Sequence, residues 1–142
     1  MTAKAKGEKG QNITIGELAK IDIMVAVPLS DNLQFDTVMI IDGDLYKAQV
    51  KSSDIYKNGG VTFDLRMSNW SAKTHKTYTA KDADVILLCD LEKVYVLGQE
   101  DFVGRKTFTI RKEPSKNGQI KNMNFASAYL LSRNRLDYVL GR

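Results

Sequence analysis

The 142 residues predict one α+β domain with a leading helix, a mixed or antiparallel central sheet and a closing C-terminal helix. Two observations bracket the chain. Residues 8 to 20 carry apolar side chains at Ile13, Ile15, Leu18 and Ala19, and the stretch NFASAYLLSRNRLDYVL (124–140) repeats that helical spacing near the other end. A third fills the middle: short apolar or alternating runs separated by Gly, Asn and Asp clusters, the pattern of strands and turns. Pro occurs only at 28 and 114, and no repeat or low-complexity segment divides the chain, so residues 1–142 read as a single core-bearing domain.

Taken in order, residues 1–6 form a mobile basic lead-in, and a helix runs from Glu8 to about Lys20, weakened by Thr14 and Gly16. IDIMVAVPL is a buried strand stopped by Pro28. FDTVMII and LYKAQVKSS follow as strands joined through DGD, a strong hairpin signal. NGG (58–60) makes the next turn and VTFDLRMS the next strand, before a polar excursion, NWSAKTHKTYTAKDA. DVILLCDLEKVYVLG supplies two strands around a turn near Leu91 and Glu92, KTFTIRK a late strand, and EPSKNGQ a basic loop. Strand order does not follow from this pattern.

Composition narrows the setting. At 43% hydrophobic and 27% charged the chain is an ordinary globular sequence, without the ~18-residue apolar run of a membrane span. The lysines of MTAKAKGEKGQ precede no apolar h-region, which argues against a secretory signal. Cys89, the single cysteine, has no disulfide partner and no metal-ligand spacing around it, so the expected compartment is the cytosol. Net charge is +4, but residues 1–104 hold 12 basic against 15 acidic side chains (−3) and residues 105–142 hold 9 against 2 (+7). That asymmetry fits an anionic partner, nucleic acid first, and equally a solvated lysine-rich surface.

The chemistry concentrates on one hairpin. In LYKAQVK successive side chains alternate, so Tyr46, Ala48 and Val50 face the core while Lys47, Gln49 and Lys51 share the other face. Asp36 opens the preceding strand about as far from the turn as Gln49, so the two side chains can meet, with Lys51 one pleat beyond. A carboxylate is a hard ligand for Mg²⁺, and an amide or main-chain carbonyl adds a second oxygen. The ion polarises a phosphodiester, and a neighbouring lysine orients water or offsets transition-state charge. On geometry alone a wetted polar strand face remains the competing explanation.

The surrounding segments resemble the PD-(D/E)xK nuclease superfamily and, within it, the small intron-encoded (homing) endonuclease branch. The pieces that carry the resemblance are KGEKG (6–10), VAVP (25–28), FD (35–36) and LYKAQVKSS (45–53), in that order. It continues loosely through ADVILLCDLEKVYVL and NMNFASAYL. The resemblance implies a restriction-endonuclease-like core, a Mg²⁺ cofactor with Mn²⁺ as a substitute, and hydrolysis of double-stranded DNA, site-specific in the homing type. It makes Asp36 the central metal-binding acid and Lys51 the catalytic lysine, with a ligand from the Val50 backbone. Gln49 stands where many relatives carry Asp or Glu, so a second carboxylate is sought on the leading helix. Glu8 is favoured and Glu17 is taken as a surface acid. Cutting both strands further implies a homo-oligomer, a dimer or a tetramer. A Holliday-junction resolvase of the same fold and a non-catalytic DNA-binding module are the alternatives.

The remaining polar residues divide between contact and structure. Lys73, His75, Lys76 and Lys81 on the excursion, and Arg111, Lys112, Lys116 and Lys121 near EPSKNGQ, suit DNA-backbone contacts. His75 is expected to touch phosphate or solvent rather than act as a general base. Arg66 shares a strand face with Asp64 and can pair with it instead of with DNA. Trp70 is expected as a core anchor, and Asp42 and Asp44 as turn residues.

Overall fold

The computed structural model describes residues 1–30, 32–69, 74–115, 117–121 and 123–142. Lys73, Trp70 and Lys116, and the His75 side chain, fall outside what is described.

The first helix, α1 (Ala3–Lys20), begins five residues earlier than expected. Thr2 is its N-cap, the hydroxyl accepting from the Ala5 N–H at 3.1 Å, which turns the supposed lead-in into the helix's first turns. Lys6 then ties this end to Asp54 at 2.6 Å. Gly10, Thr14 and Leu18 form the buried stripe. Gly10 lets the helix lie directly on the sheet, because a Cβ there would sit 1.8 Å from Ser52 Oγ and 2.8 Å from Ser52 Cβ.

The strands are β1 (Met24–Ala26), β2 (Thr37–Ile41), β3 (Asp44–Ser52), β4 (Tyr56–Lys57), β5 (Gly60–Asp64), β6 (Met67–Asn69), β7 (Thr74–Lys76), β8 (Val85–Cys89), β9 (Val94–Leu97) and β10 (Thr107–Arg111). The main sheet has the order β1-β2-β3-β8-β9. β1, β2 and β3 are antiparallel, the β2–β3 turn closing through Asp42 and Gly43, both at positive φ. Next β8 joins β3 in parallel, so the sheet is mixed rather than a meander, and β9 returns antiparallel.

A second sheet, β10-β5-β4, covers part of the main one, and β6 and β7 form a ribbon within the expected excursion. KTFTIRK therefore pairs with β5 rather than extending the main sheet. A short helix that the spacing did not announce, α2 (Gln99–Phe102), follows β9. The expected closing helix is broken into α3 (Ala126–Tyr129) and α4 (Arg133–Leu140). Leu130 bridges to Tyr95, and Ser132 restarts the helix by accepting from the Arg135 N–H at 3.0 Å.

The main sheet separates two cores. On one face Leu18, Met39, Ala48, Val50, Leu87, Val96 and Leu136 pack between the sheet and the helices α1 and α4. On the other, Phe63, Leu65, Ile86, Leu88, Leu97 and Phe108 pack between the two sheets. This second face is covered over β8 and β9 and open over β1 and β2. There Met24, Ile40 and Leu45 lie in register across the three strands and remain 66, 36 and 67% exposed.

Candidate active site

The strand parity places Gln49 and Lys51 on the second face, in register with Ile86 and Leu88, where the covering layer gives way to open sheet. Asp36 lies one residue before β2, its N–H donating at 3.1 Å to the carbonyl of Ala48, the residue already paired with Thr37. Asp36 Oδ1 accepts the Val50 N–H at 3.1 Å and the Thr37 hydroxyl at 3.2 Å, while Oδ2 accepts from Gln49 Nε2 at 3.2 Å. Gln49 Nε2 also lies 3.4 Å from Val50 O. The hairpin thus brings the acid, the amide and the Val50 carbonyl to one point.

That point opens into a cleft of about 280 Å³ lined by Gln11, Pro28, Leu29, Leu33, Phe35, Asp36 and Gln49. Burial raises the Asp36 carboxyl above its ordinary 3.8, against the lowering pull of the Val50 and Thr37 hydrogen bonds, its own N–H and the Lys51 charge. Lys51 is half-buried one pleat on. Its Nζ donates to Arg66 O at 3.0 Å and rests 5.2 Å from the centre of the Tyr78 ring. Burial lowers the Lys51 ammonium below its ordinary 10.5, and the charges of Asp64 and then Asp36 oppose that shift. Tyr78, itself buried, has its phenol raised by burial and by Asp36, Asp82 and Asp64.

Glu8 and Glu17 are not in this cleft. Glu8 is exposed, about 120° around α1 from the middle of the Gly10–Thr14–Leu18 stripe at 100° per residue. Glu17 pairs with Lys20 at 2.9 Å. The helix side chain that does arrive is Gln11, whose Nε2 donates to Asp36 O at 3.4 Å. Its signal in the sequence is its position at the border of the buried stripe, carried by an amide rather than an acid.

Among the described residues no group of three or more His, Cys, Asp and Glu gathers as a metal site. The donors that the described residues bring are one carboxylate oxygen, one main-chain carbonyl and one or two amides. This set suits Mg²⁺, which is held by one or two carboxylates and completes its shell with water and substrate phosphate.

The basic residues sort by position. Lys76 and Lys81 are exposed on the segment that carries Tyr78 to Lys51. Arg111, Lys112 and Lys121 stand near the other end of the second sheet, where Arg111 pairs with Gly60 whereas Thr107 pairs with Asp64. Four residues of strand separate those ends, about 14 Å. Arg111 donates to Asn58 O and Glu113 O, and Lys112 pairs with the buried Asp90, so these two residues make structural contacts rather than the expected DNA contacts. Lys121 is exposed. Arg105 and Lys106, which the sequence did not single out, are exposed at the end of the second sheet nearer the cleft. Much of the C-terminal positive excess is spent internally: Arg133 and Arg142 hold Asp42, and Arg135 holds Asp101.

Comparison with solved structures finds a bacterial homing endonuclease, I-Ssp6803I, similar in fold at a TM-score of 0.76 and 24% identity, covering 99% of this chain and 95% of that one. Comparison with curated proteins finds none that matches. A family model described as PD-(D/E)XK endonuclease matches residues 1–132, taking in the helix, the hairpin and both sheets. The chain belongs to the PD-(D/E)XK endonuclease family.

Proposed function

We propose that this nuclease is a Mg²⁺-dependent endonuclease of double-stranded DNA, cutting at defined sites in the homing manner. The observation that carries the proposal is the convergence of Asp36, Gln49 and the Val50 carbonyl at a cleft mouth, with the Lys51 ammonium beside them. Asp36 Oδ2, Val50 O and the Gln49 amide oxygen would hold the ion. Bound there, the ion supplies electrostatic polarisation of the scissile phosphodiester.

The protein's own groups do the rest. The Val50 N–H and the Thr37 hydroxyl fix one Asp36 oxygen, which leaves Oδ2 directed at the Gln49 amide. Lys51 offers a desolvated ammonium to the negative charge that builds on phosphate oxygens, where a preorganised donor is worth more than in water. Val27, Leu29, Leu33 and Phe35 give the cleft, which is open to water, an apolar wall beside the acid. Exposed Lys76, Lys81, Arg105 and Lys106 flank the site as backbone contacts.

Cleavage of both strands calls for a second copy, and the exposed Met24–Ile40–Leu45 row supports self-association. A non-catalytic DNA-binding module is the competing reading, favoured by Asp36 being the one carboxylate at the cleft among the described residues. Incubating plasmid DNA with Mg²⁺ separates the two. Discrete fragments, lost in Asp36→Ala and in chelator, are expected. Retained DNA binding without cutting in Mg²⁺ or Mn²⁺ establishes the non-catalytic module, and cutting confined to four-way junctions establishes a resolvase.

A further inference from the structure

The Gln49 amide does something in the free protein that a carboxylate at the same position could not. Asp36 Oδ2 and Val50 O are both acceptors, and the Gln49 NH₂ group reaches them at 3.2 and 3.4 Å. Two acceptors that converge need either a cation or a proton donor between them. The amide hydrogens meet that need, so the amide group stands in for the ion. Asp36 thereby has a donor on each oxygen: Oδ1 has Val50 N–H and Thr37 O–H, and Oδ2 has Gln49.

Formal charge points the same way. Asp36 faces Lys51, and the neighbouring Asp64 is matched by Arg66 at 3.0 Å. Among the described residues each of these two acids has a cation beside it, so neither is left as bare negative charge for a divalent ion. A DNA phosphate supplies that charge, together with an oxygen ligand.

Resting on the nuclease reading above, we propose that Gln49 is a latch that closes the empty site, so that the divalent ion enters together with DNA phosphate and not before it. Opening the latch is a half-turn of the terminal amide. The NH₂ group leaves Asp36 Oδ2 and Val50 O, and the Gln49 carbonyl oxygen takes its place as a ligand. A glutamate at 49 would instead set two carboxylates side by side and attract cations into the free protein.

Calcium, used as a probe, tests this by calorimetry on the full chain, with Asp36→Ala as the blank. Wild type without DNA should match the blank. With mixed-sequence duplex present, Asp36-dependent Ca²⁺ affinity should rise at least tenfold. By reciprocity Ca²⁺ should tighten duplex binding by the same factor, read by fluorescence anisotropy at fixed ionic strength. Gln49→Glu should gain at least tenfold in Ca²⁺ affinity without DNA and melt at a higher temperature when Ca²⁺ is added. Wild type that binds Ca²⁺ through Asp36 equally well with and without duplex overturns the latch while leaving the metal site standing. A Gln49→Glu variant that binds Ca²⁺ no better than wild type in the absence of DNA overturns it too. Absence of Asp36-dependent Ca²⁺ binding in every arm, duplex included, overturns the metal-dependent reading itself, and the latch with it.

Discussion

Replacing Asp36 with Asn should abolish cleavage and yet stabilise the metal-free protein. The new amide keeps the carboxylate's shape. Its oxygen still accepts from Val50 N–H and the Thr37 hydroxyl, and Gln49 turns over so that its carbonyl accepts from the new NH₂ group, giving up the longer contact to Val50 O. Three charge-assisted hydrogen bonds become neutral ones, a loss of about 2 kcal/mol in all. Against this, the desolvation of a carboxylate is removed, an effect of several kcal/mol for a buried ion and about half that in a cleft open to water. Because burial raises the Asp36 carboxyl despite its donors, desolvation outweighs the hydrogen bonds. The net gain is about 1 kcal/mol, or roughly 2–4 °C in Tm for a chain of this size.

Asp36→Ala, by contrast, leaves Val50 N–H, Thr37 O–H and the Gln49 amide without their acceptor, and should lose about 1–2 kcal/mol. Calorimetric melting in chelator reads both variants, and plasmid nicking in Mg²⁺ confirms that both are inactive. The pH dependence fixes the cause. With its folded value raised, Asp36 adds stability below the ordinary carboxylate value of 3.8, and that contribution is lost as pH rises through the folded value. The advantage of Asn over wild type should therefore be largest near neutrality and shrink as pH falls toward that value. An Asn variant that melts below wild type at neutral pH, or a difference that does not change with pH, would falsify this account.

Lys51→Met should reduce cleavage by about 10²–10³-fold and leave duplex affinity within about twofold, measured by single-turnover kinetics and anisotropy. Asp64→Asn removes the charge that most opposes the lowering of the Lys51 ammonium, so the limb of the pH–rate profile belonging to Lys51 should move to lower pH. Lys112→Met strands the buried Asp90 carboxylate and should cost about 3 kcal/mol in denaturant unfolding, with the salt dependence of DNA binding unchanged. Lys76→Ala and Lys81→Ala should do the reverse: unfolding within about 0.5 kcal/mol of wild type, and a salt slope shallower by about 1 for each phosphate contact removed. Gly10→Ala forces α1 off Ser52 and should lower stability by about 1–3 kcal/mol in the same unfolding assay.

The hairpin was legible in the sequence because its information is local. Alternation through LYKAQVK and a two-residue Asp42–Gly43 turn determine which side chains share a face and which ends meet, and Asp36 does meet Gln49. Pairings between distant segments were not legible. Nothing in the apolar run of β8 says that it joins β3 in parallel, since a strand buried on both faces carries no alternation. The helix contribution was not legible for a different reason. The buried stripe is Gly10, Thr14 and Leu18, so two of its three positions carry no apolar side chain to mark the face that meets the sheet. Against that stripe, Gln11 falls beside the sheet and Glu8 does not. The basic C-terminal region misled because charge counts do not record partners: Arg111, Lys112, Arg133, Arg135 and Arg142 are occupied by main-chain carbonyls and acids within the fold.

The parallel junction between β3 and β8 also bears on how the molecule assembles in time. β2 and β3 close across two residues, whereas Ala48 waits for Val85, 37 positions further along the chain. Short-range closure is fast and long-range closure is slow. The acid and the amide therefore belong to an early, local folding unit. The ammonium's seat on Arg66 O and the Tyr78 ring belongs to segments that arrive later. In native-state hydrogen exchange, the Val50 amide that holds Asp36 should stay protected in partially opened forms that have already released Tyr78. A loss of strength in the second sheet would then free the lysine while the acid stays in place, leaving a folded protein whose two halves of the active site have come apart.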